Sequence, residues 1–125
     1  MFNKRNLSLP GLDLPGALNL LGGNEALLME ILCLFQENES DTVHRIRAAL
    51  SLGDIKLSIR LTHSLKSSAG SVGAGRLKEA AWAVESALRR GIHPEENLLK
   101  KLEDAHDEVM TGLNSLNPTA SSGQE

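Results

Sequence analysis

Aromatic residues are almost absent from this sequence. Its 125 residues include two phenylalanines, one tryptophan and no tyrosine. Strands are enriched in aromatic and β-branched side chains, so a core built with so few aromatics is expected to come from helices. The composition is otherwise that of a globular protein, with 41% hydrophobic and 23% charged residues. The length predicts one domain with a single modest core.

Other absences exclude further classes of protein. The only cysteine, Cys33, cannot form an internal disulfide. The absence of disulfides within the chain fits a protein of a reducing compartment. No apolar run is long enough to cross a bilayer, and no secretory signal pattern is present at the start. The net charge of -3 argues against a general nucleic-acid binder, which has a basic surface. We therefore expect a cytoplasmic protein without direct membrane insertion.

Apolar residues recur at helical spacing along most of the chain. Proline, glycine and capping residues divide this pattern into one short helix and four long ones. Their approximate spans are residues 14–21, 24–52, 54–71, 76–90 and 94–116. Long amphipathic helices joined by short loops predict an all-α protein, an antiparallel four-helix bundle with a short additional N-terminal helix.

The first long helix has a polar stretch, QENESDT, in its middle. This stretch contains neither proline nor glycine, so we predict a continuous helix from about Asn24 to Leu52 rather than a break near Ser40. The terminal segments lack a clear period and are expected to be flexible. The predicted arm, bundle and tail are residues 1–10, 11–117 and 118–125.

His63 is predicted to lie on the outer face of its helix, opposite an apolar stripe. That stripe consists of Leu57, Leu61, Leu65, Ala69 and Val72. The neighbours of His63 on the outer face are several cations, one isoleucine and two very short side chains: Lys56, Ile59, Arg60, Lys66, Ser67 and Gly70. An ordinary solvated face would explain the histidine alone. The isoleucine, the open space and the cations instead favour a nucleophilic imidazole approached by an anionic partner.

The sequence HSLKSSAGSVGAGRL, followed by AVESALRR, resembles the histidine-containing phosphotransfer (HPt) domain of bacterial two-component phosphorelays. The positions that match the family pattern in register are His63, Leu65, Lys66, Ala69, Gly73, Ala74, Leu77, Glu85 and Arg89. Upstream, GLDLPGALNLLGGNEALLMEILCLF is similar to the opening of such domains in hybrid sensor kinases. Ser67 stands where the family usually has glycine and Val84 where it usually has leucine. Serine is still small, so access to His63 should be retained.

The resemblance implies a role for each part of the site. His63 would accept a phosphoryl group from a receiver-domain aspartate and pass it to the aspartate of another receiver. Lys66 would be the cation on the phosphate side, and the docking face would consist of Lys56, Ile59, Arg60, Ser67 and Gly70. The chain would be a stoichiometric carrier without its own ATP site or cofactor, and Mg²⁺ would belong to the partner receiver.

The resemblance also implies the partners, which are response-regulator receiver domains and a hybrid sensor histidine kinase. Neither nucleic acid nor a membrane is expected to bind directly. Because four helices can bury one another, we expect a monomer. It would be cytoplasmic, either free-standing or as a domain of a membrane-anchored sensor kinase.

Two further functions compete with this one. A helical adaptor that is never phosphorylated would use the small residues around His63 as a packing groove. The dimerisation core of a histidine kinase also has a phosphoaccepting histidine, but that family follows it with an acidic residue, leucine, arginine, threonine and proline. Here SLKSS follows His63.

A metal site has little support, because the four histidines include no pair four residues apart. His44 and His106 are predicted to be exposed, and His93 to lie at a cap or in a loop. We predict that Trp82 is partly exposed beside the bundle core, and the sequence assigns it no particular function. Arg89 is expected only to offset a helix dipole.

Overall fold

The computed structural model describes residues 9–116, and this part of the chain is all-α, without strands. Six helices follow one another: α1 (Leu14–Leu20), α2 (Glu25–Glu39), α3 (Thr42–Ser51), α4 (Ile55–Ser71), α5 (Gly75–Arg89) and α6 (Glu96–Leu116). The predicted fold class is confirmed: α2 with α3, α4, α5 and α6 form the four-helix bundle, and α1 is the short additional helix. Residues 1–8 of the predicted arm and the whole predicted tail lie outside the described residues.

Two of the long segments begin where the sequence supplies a glycine and then a side-chain cap. Gly23 and Gly53 have φ angles of 81° and 74°, which turn the chain sharply. The carboxamide of Asn24 then accepts from the amide of Leu27 at 3.0 Å. Asp54 caps α4 in the same way. Local chemistry therefore sets these helix boundaries where they were predicted.

The prediction of one continuous helix from Asn24 to Leu52 is wrong, because α2 ends at Glu39 and a separate helix, α3, begins at Thr42. The buried imidazole of His106 on α6 donates through Nε2 to the carbonyl oxygen of Glu39 at 2.7 Å. A side chain thus bonds to a carbonyl of the helical hydrogen-bond ladder at this point, and the helix is interrupted at Ser40 and Asp41. Thr42 also donates to the buried carboxylate of Glu39, at 2.6 Å.

The same contact corrects the prediction for His106. Its residue surface is only 6% exposed, whereas the sequence pattern placed it in solvent. The imidazole can be buried because the carbonyl of Glu39 satisfies its N–H. His44 is exposed, as predicted, and His93 lies in the loop between α5 and α6, as predicted.

The buried face of α4 lies about one residue away from the predicted stripe. Ser58 and Thr62 are fully buried, and their hydroxyls donate to the carbonyl oxygens of Asp54 and Ser58, each at 2.9 Å. Leu57 and Leu61 are only half-buried. The remaining members of the stripe are buried as predicted: Leu65, Ala69 and Val72.

The turn between α4 and α5 requires glycine. Gly73 has a φ angle of 74°, and its carbonyl oxygen accepts from the amide of Asp13 at 2.7 Å. A β-carbon on Gly73 would lie 2.5 Å from the carbonyl oxygen of Asp13. The start of α1 is therefore held directly against this turn, which closes one end of the bundle.

No single helix of residues 9–116 is long and apolar enough to cross a membrane. Residues 14–20 (α1) and 25–51 (α2 with α3) reach that length and composition only when they are taken together. The chain bends by 117° between these two segments.

Candidate functional site

The α4–α5 pair brings His63 against a carboxylate that the sequence analysis gave no role. His63 lies near the middle of α4, and its side chain is 54% exposed, on the outer face as predicted. Its Nδ1 atom lies 3.0 Å from Oε2 of Glu85 on α5. A carboxylate can only accept, so in the neutral imidazole this contact places the proton on Nδ1. The lone pair is then on Nε2, which is the nucleophilic atom.

Glu85 is the centre of a cluster of cations. Only 5% of its side chain is exposed, and it also contacts Lys66, whose Nζ lies 2.9 Å from Oε1. Arg89 donates from Nε to Oε2 at 2.8 Å. Burial alone raises the pKa of Glu85, but the ion pair with Lys66 and the hydrogen bonds from Arg89 and His63 outweigh it and lower the pKa to about 2. Glu85 therefore stays ionised beside the imidazole.

The lowered pKa of Glu85 predicts an acid-dependent loss of stability. The usual pKa of 4.5 applies to the unfolded chain and about 2 to the folded one, so the unfolded chain binds more protons between these values. The stabilisation is complete above about pH 4.5 and disappears as the pH falls towards 2. Denaturant unfolding of the wild type and of Glu85→Gln through this range should show their difference in unfolding free energy shrinking with acidity. A constant difference would contradict the lowered pKa.

The six other residues predicted for the site all lie on α4 with His63. Lys56, Arg60 and Ser67 are exposed, whereas Ile59 and Gly70 are half-buried. Lys66 is 23% exposed and is held by Glu85 rather than free in solvent. The structure thus places these residues on the same helix, and their roles in docking and phosphate binding stay predictions.

Sequence analysis matched Glu85 and Arg89 to the family pattern but gave Glu85 no role. It expected Arg89 only to offset a helix dipole, and the hydrogen bond from Arg89 to Glu85 shows that this interpretation is incomplete. A usable signal was present. Glu85 lies between the buried Val84 and Leu88 on α5, and a carboxylate beside a core stripe needs cationic partners. Its partner on α4 could not be identified from helical spacing, because His63 is 22 residues away.

Gly70 and Gly73 are predicted to respond oppositely to alanine. A β-carbon on Gly70 would make ordinary contact with Lys78, at 3.5 Å from its nearest atom. Alanine is the better helix former, so Gly70→Ala should raise the free energy of unfolding by up to about 1 kcal/mol. Gly73→Ala should lower it by about 2 kcal/mol or more, because φ is positive there and Asp13 blocks the added carbon.

Denaturant unfolding of the two alanine variants checks this contrast. If Gly70→Ala is destabilising, the fold itself requires the glycine. In that case no external partner is needed to explain why a helix contains it.

Two other kinds of site that residues 9–116 could contain are a metal centre and a surface groove. No three histidine, cysteine, aspartate or glutamate side chains in that part of the chain are grouped to hold a metal ion. A groove of about 460 Å³ lies between α5 and α6 and is lined in part by Ala80, Ala83 and Leu98. His63 is not among its lining residues.

Comparison with known proteins agrees with the fold. A model of the Hpt domain matches residues 30–112, which include both His63 and Glu85. Among solved structures, the chain is similar to the HPT domain from the Hpt sensor hybrid histidine kinase from Shewanella. The TM-score is 0.79 and the identity 22%, over 87% of this chain and 95% of that one. A search of curated protein sequences finds no significant match. The family match covers most of the sequence, so the chain belongs to the Hpt domain family, whose members carry phosphoryl groups on histidine in phosphorelays.

Proposed function

We propose that His63 is the phosphoacceptor of this Hpt domain and exchanges its phosphoryl group with receiver-domain aspartates. The main support is the contact of Nδ1 with Glu85, which leaves Nε2 as the nucleophile on an exposed face. The other histidines of residues 9–116 differ from it. His106 is buried, and neither His44 nor His93 forms a hydrogen bond or ion pair with a carboxylate in that part of the chain.

The transfer step requires no proton to leave the imidazole. The lone pair of Nε2 attacks the phosphorus of an aspartyl phosphate, and the N–P bond forms as the P–O bond to the aspartate breaks. The receiver regains a carboxylate, and the His63 ring becomes a cation that keeps its proton on Nδ1. The ionised Glu85, 3.0 Å from Nδ1, stabilises that positive charge as it develops. Transfer to a second receiver reverses the same step.

Lys66 is proposed as the cation on the phosphate side. Lys66 follows His63 by about one turn on the same face of α4. Its ammonium group has three N–H donors, so it can pair with Glu85 and still donate to an oxygen of the phosphoryl group. The Mg²⁺ that neutralises charge on the transferred group is expected in the receiver, as in other phosphoryl transfers. The domain would then act as a stoichiometric carrier without ATP site, cofactor or further catalytic activity of its own.

The proposed partners are response-regulator receiver domains and a hybrid sensor histidine kinase. The receiver would dock over His63 and contact Lys56, Ile59, Arg60, Ser67 and Gly70. We propose that the protein is a monomer, because the four long helices bury one another. We also propose that it is cytoplasmic and makes no direct contact with nucleic acid or a membrane.

Phosphoryl transfer to the full chain tests the proposal. A panel of phosphorylated receiver domains should contain at least one that produces an acid-labile, alkali-stable label, which is the stability expected of phosphohistidine. Phosphoramidate, a small donor that requires no docking, should produce the same label. If neither donor labels the chain, the proposal is wrong, and the surface around His63 becomes a packing surface of an adaptor.

A further inference from the structure

Trp82 is an exposed aromatic residue that the proposed function does not use. It is 59% exposed, and among the described residues it is the one exposed large hydrophobic side chain on α5. Contacts between the two helices fix its place. Glu85 lies against His63, and Lys78 lies nearest to Gly70. Trp82 is between these two points on α5, on the side that borders the outer face of α4.

Any protein whose aspartate reaches Nε2 of His63 must cover the surface around it. A standard interface buries about 800 Å² per partner, which is a disc of about 16 Å radius. Packed helix axes lie about 8–10 Å apart, and the step from Glu85 to Trp82 is about 4.5 Å along α5. Trp82 therefore lies within the area that a docked donor covers.

The charge around His63 indicates what kind of protein docks there. Residues 55–89, which form α4 and α5, contain six lysines and arginines but only two glutamates. Arg76 and Glu79 lie on the side of α5 that borders α6, where Arg76 pairs with Glu108 at 3.4 Å, and Glu85 is buried and paired. The other five cations are Lys56, Arg60, Lys66, Lys78 and Arg89. Residues 96–116 of α6 instead contain five carboxylates and two lysines. Positive charge is thus concentrated beside His63 in a chain whose net charge is -3. A receiver presents an anionic aspartyl phosphate and the carboxylates that hold Mg²⁺, so the charges are complementary.

We propose that Trp82 is a principal docking contact for the receiver domain, where it packs against apolar surface beside the phosphorylated aspartate. The proposal rests on the proposed function of His63 and adds a residue on α5 to a face predicted wholly on α4. Tryptophan is well suited to this role because it combines a large apolar area with one N–H donor, and it is enriched among residues that dominate binding energy.

Transfer kinetics of the full chain with Trp82→Ala test the docking role. The donor is the receiver that labels the wild type best in the panel. The receiver concentration that gives half of the maximal rate should rise about tenfold or more. Labelling by phosphoramidate should keep its rate, because a small donor makes no contact with Trp82. Trp82→Phe, which keeps an aromatic ring, should restore part of the loss.

Leu20→Ala is the matched control. Leu20 is 81% exposed, but it lies on α1, at the end of the bundle where Asp13 meets Gly73. Its replacement should change neither the half-saturating concentration nor the phosphoramidate rate. Trp82 is the only tryptophan and there is no tyrosine, so its fluorescence should also change saturably when the unphosphorylated receiver is added to the wild type.

Each outcome separates the docking role from the function of His63. An unchanged half-saturating concentration in Trp82→Ala overturns the docking role alone. Slower phosphoramidate labelling of that variant also overturns it, because Trp82 would then act on the reactivity of His63. If phosphoramidate labels the wild type but no receiver does, the receiver is not the partner. If phosphoramidate also fails, the proposed function itself is wrong.

Discussion

Replacing His63 by glutamine is expected to abolish labelling completely, with both the receiver and phosphoramidate as donors. The amide nitrogen of glutamine has no available lone pair and cannot attack phosphorus. The fold should be kept, because glutamine can still donate to Glu85 and the side chain at this position is 54% exposed. The free energy of unfolding should change by less than about 1 kcal/mol. Label counting and denaturant unfolding on the same preparations test both statements.

His44→Gln and His93→Gln are the matched controls, since both histidines are exposed in the same fold. Both variants should keep the wild-type label. Any acid-labile label remaining on His63→Gln would place the phosphoacceptor at another histidine and would remove the basis for the roles of Glu85 and Trp82.

Glu85→Gln is expected to slow transfer about a hundredfold or more. The carboxylate accepts from His63 and Arg89 at Oε2 and pairs with Lys66 at Oε1. An amide has only one acceptor oxygen, so it cannot face both His63 and Arg89 on one side and Lys66 on the other. If its NH₂ faces His63, it favours the tautomer whose proton is on Nε2, which removes the nucleophilic lone pair. If its NH₂ faces Lys66 instead, it repels that cation, and the neutral amide no longer stabilises the imidazole cation.

Single-turnover rates with phosphoramidate measure this effect without the contribution of docking. Glu79→Gln is a suitable control, because Glu79 is an exposed glutamate on the same helix and lines the α5–α6 groove rather than the His63 site. Circular dichroism should show that both variants are folded at the assay temperature. A Glu85→Gln rate equal to that of the wild type would mean that Glu85 only holds α4 and α5 together.

The helical plan and the exposure of His63 were predictable, because both depend on residues close together in sequence. Glycine followed by Asn24 or Asp54 starts a helix through its own local hydrogen bonds. Helical spacing alone placed His63 away from the apolar stripe. These contacts form within a few residues, so their outcome can be inferred without knowing how the helices pack.

The errors arise where two distant segments meet. The break after Glu39 depends on a donor from His106, 67 residues later, and QENESDT itself contains no break signal. The burial of Ser58 and Thr62 was missed for another reason. Their hydroxyls are satisfied by carbonyl oxygens of the preceding turn, so these polar residues can be buried like apolar ones. A pattern that counts only apolar side chains therefore shifts the buried face of α4.

The cluster around Glu85 also determines how the net charge of the site changes during a transfer cycle. The site contains two permanent cations, Lys66 and Arg89, and one anion, Glu85, which pairs with both. The three groups together therefore carry one net positive charge while His63 is neutral. A phosphoryl group brings about two negative charges, and the ring it joins becomes positive. The phosphorylated site would then be close to neutral. Because neither state accumulates a large charge, the domain can hold the group without trapping it. The relative stabilities of the partners' aspartyl phosphates would then decide the direction of transfer.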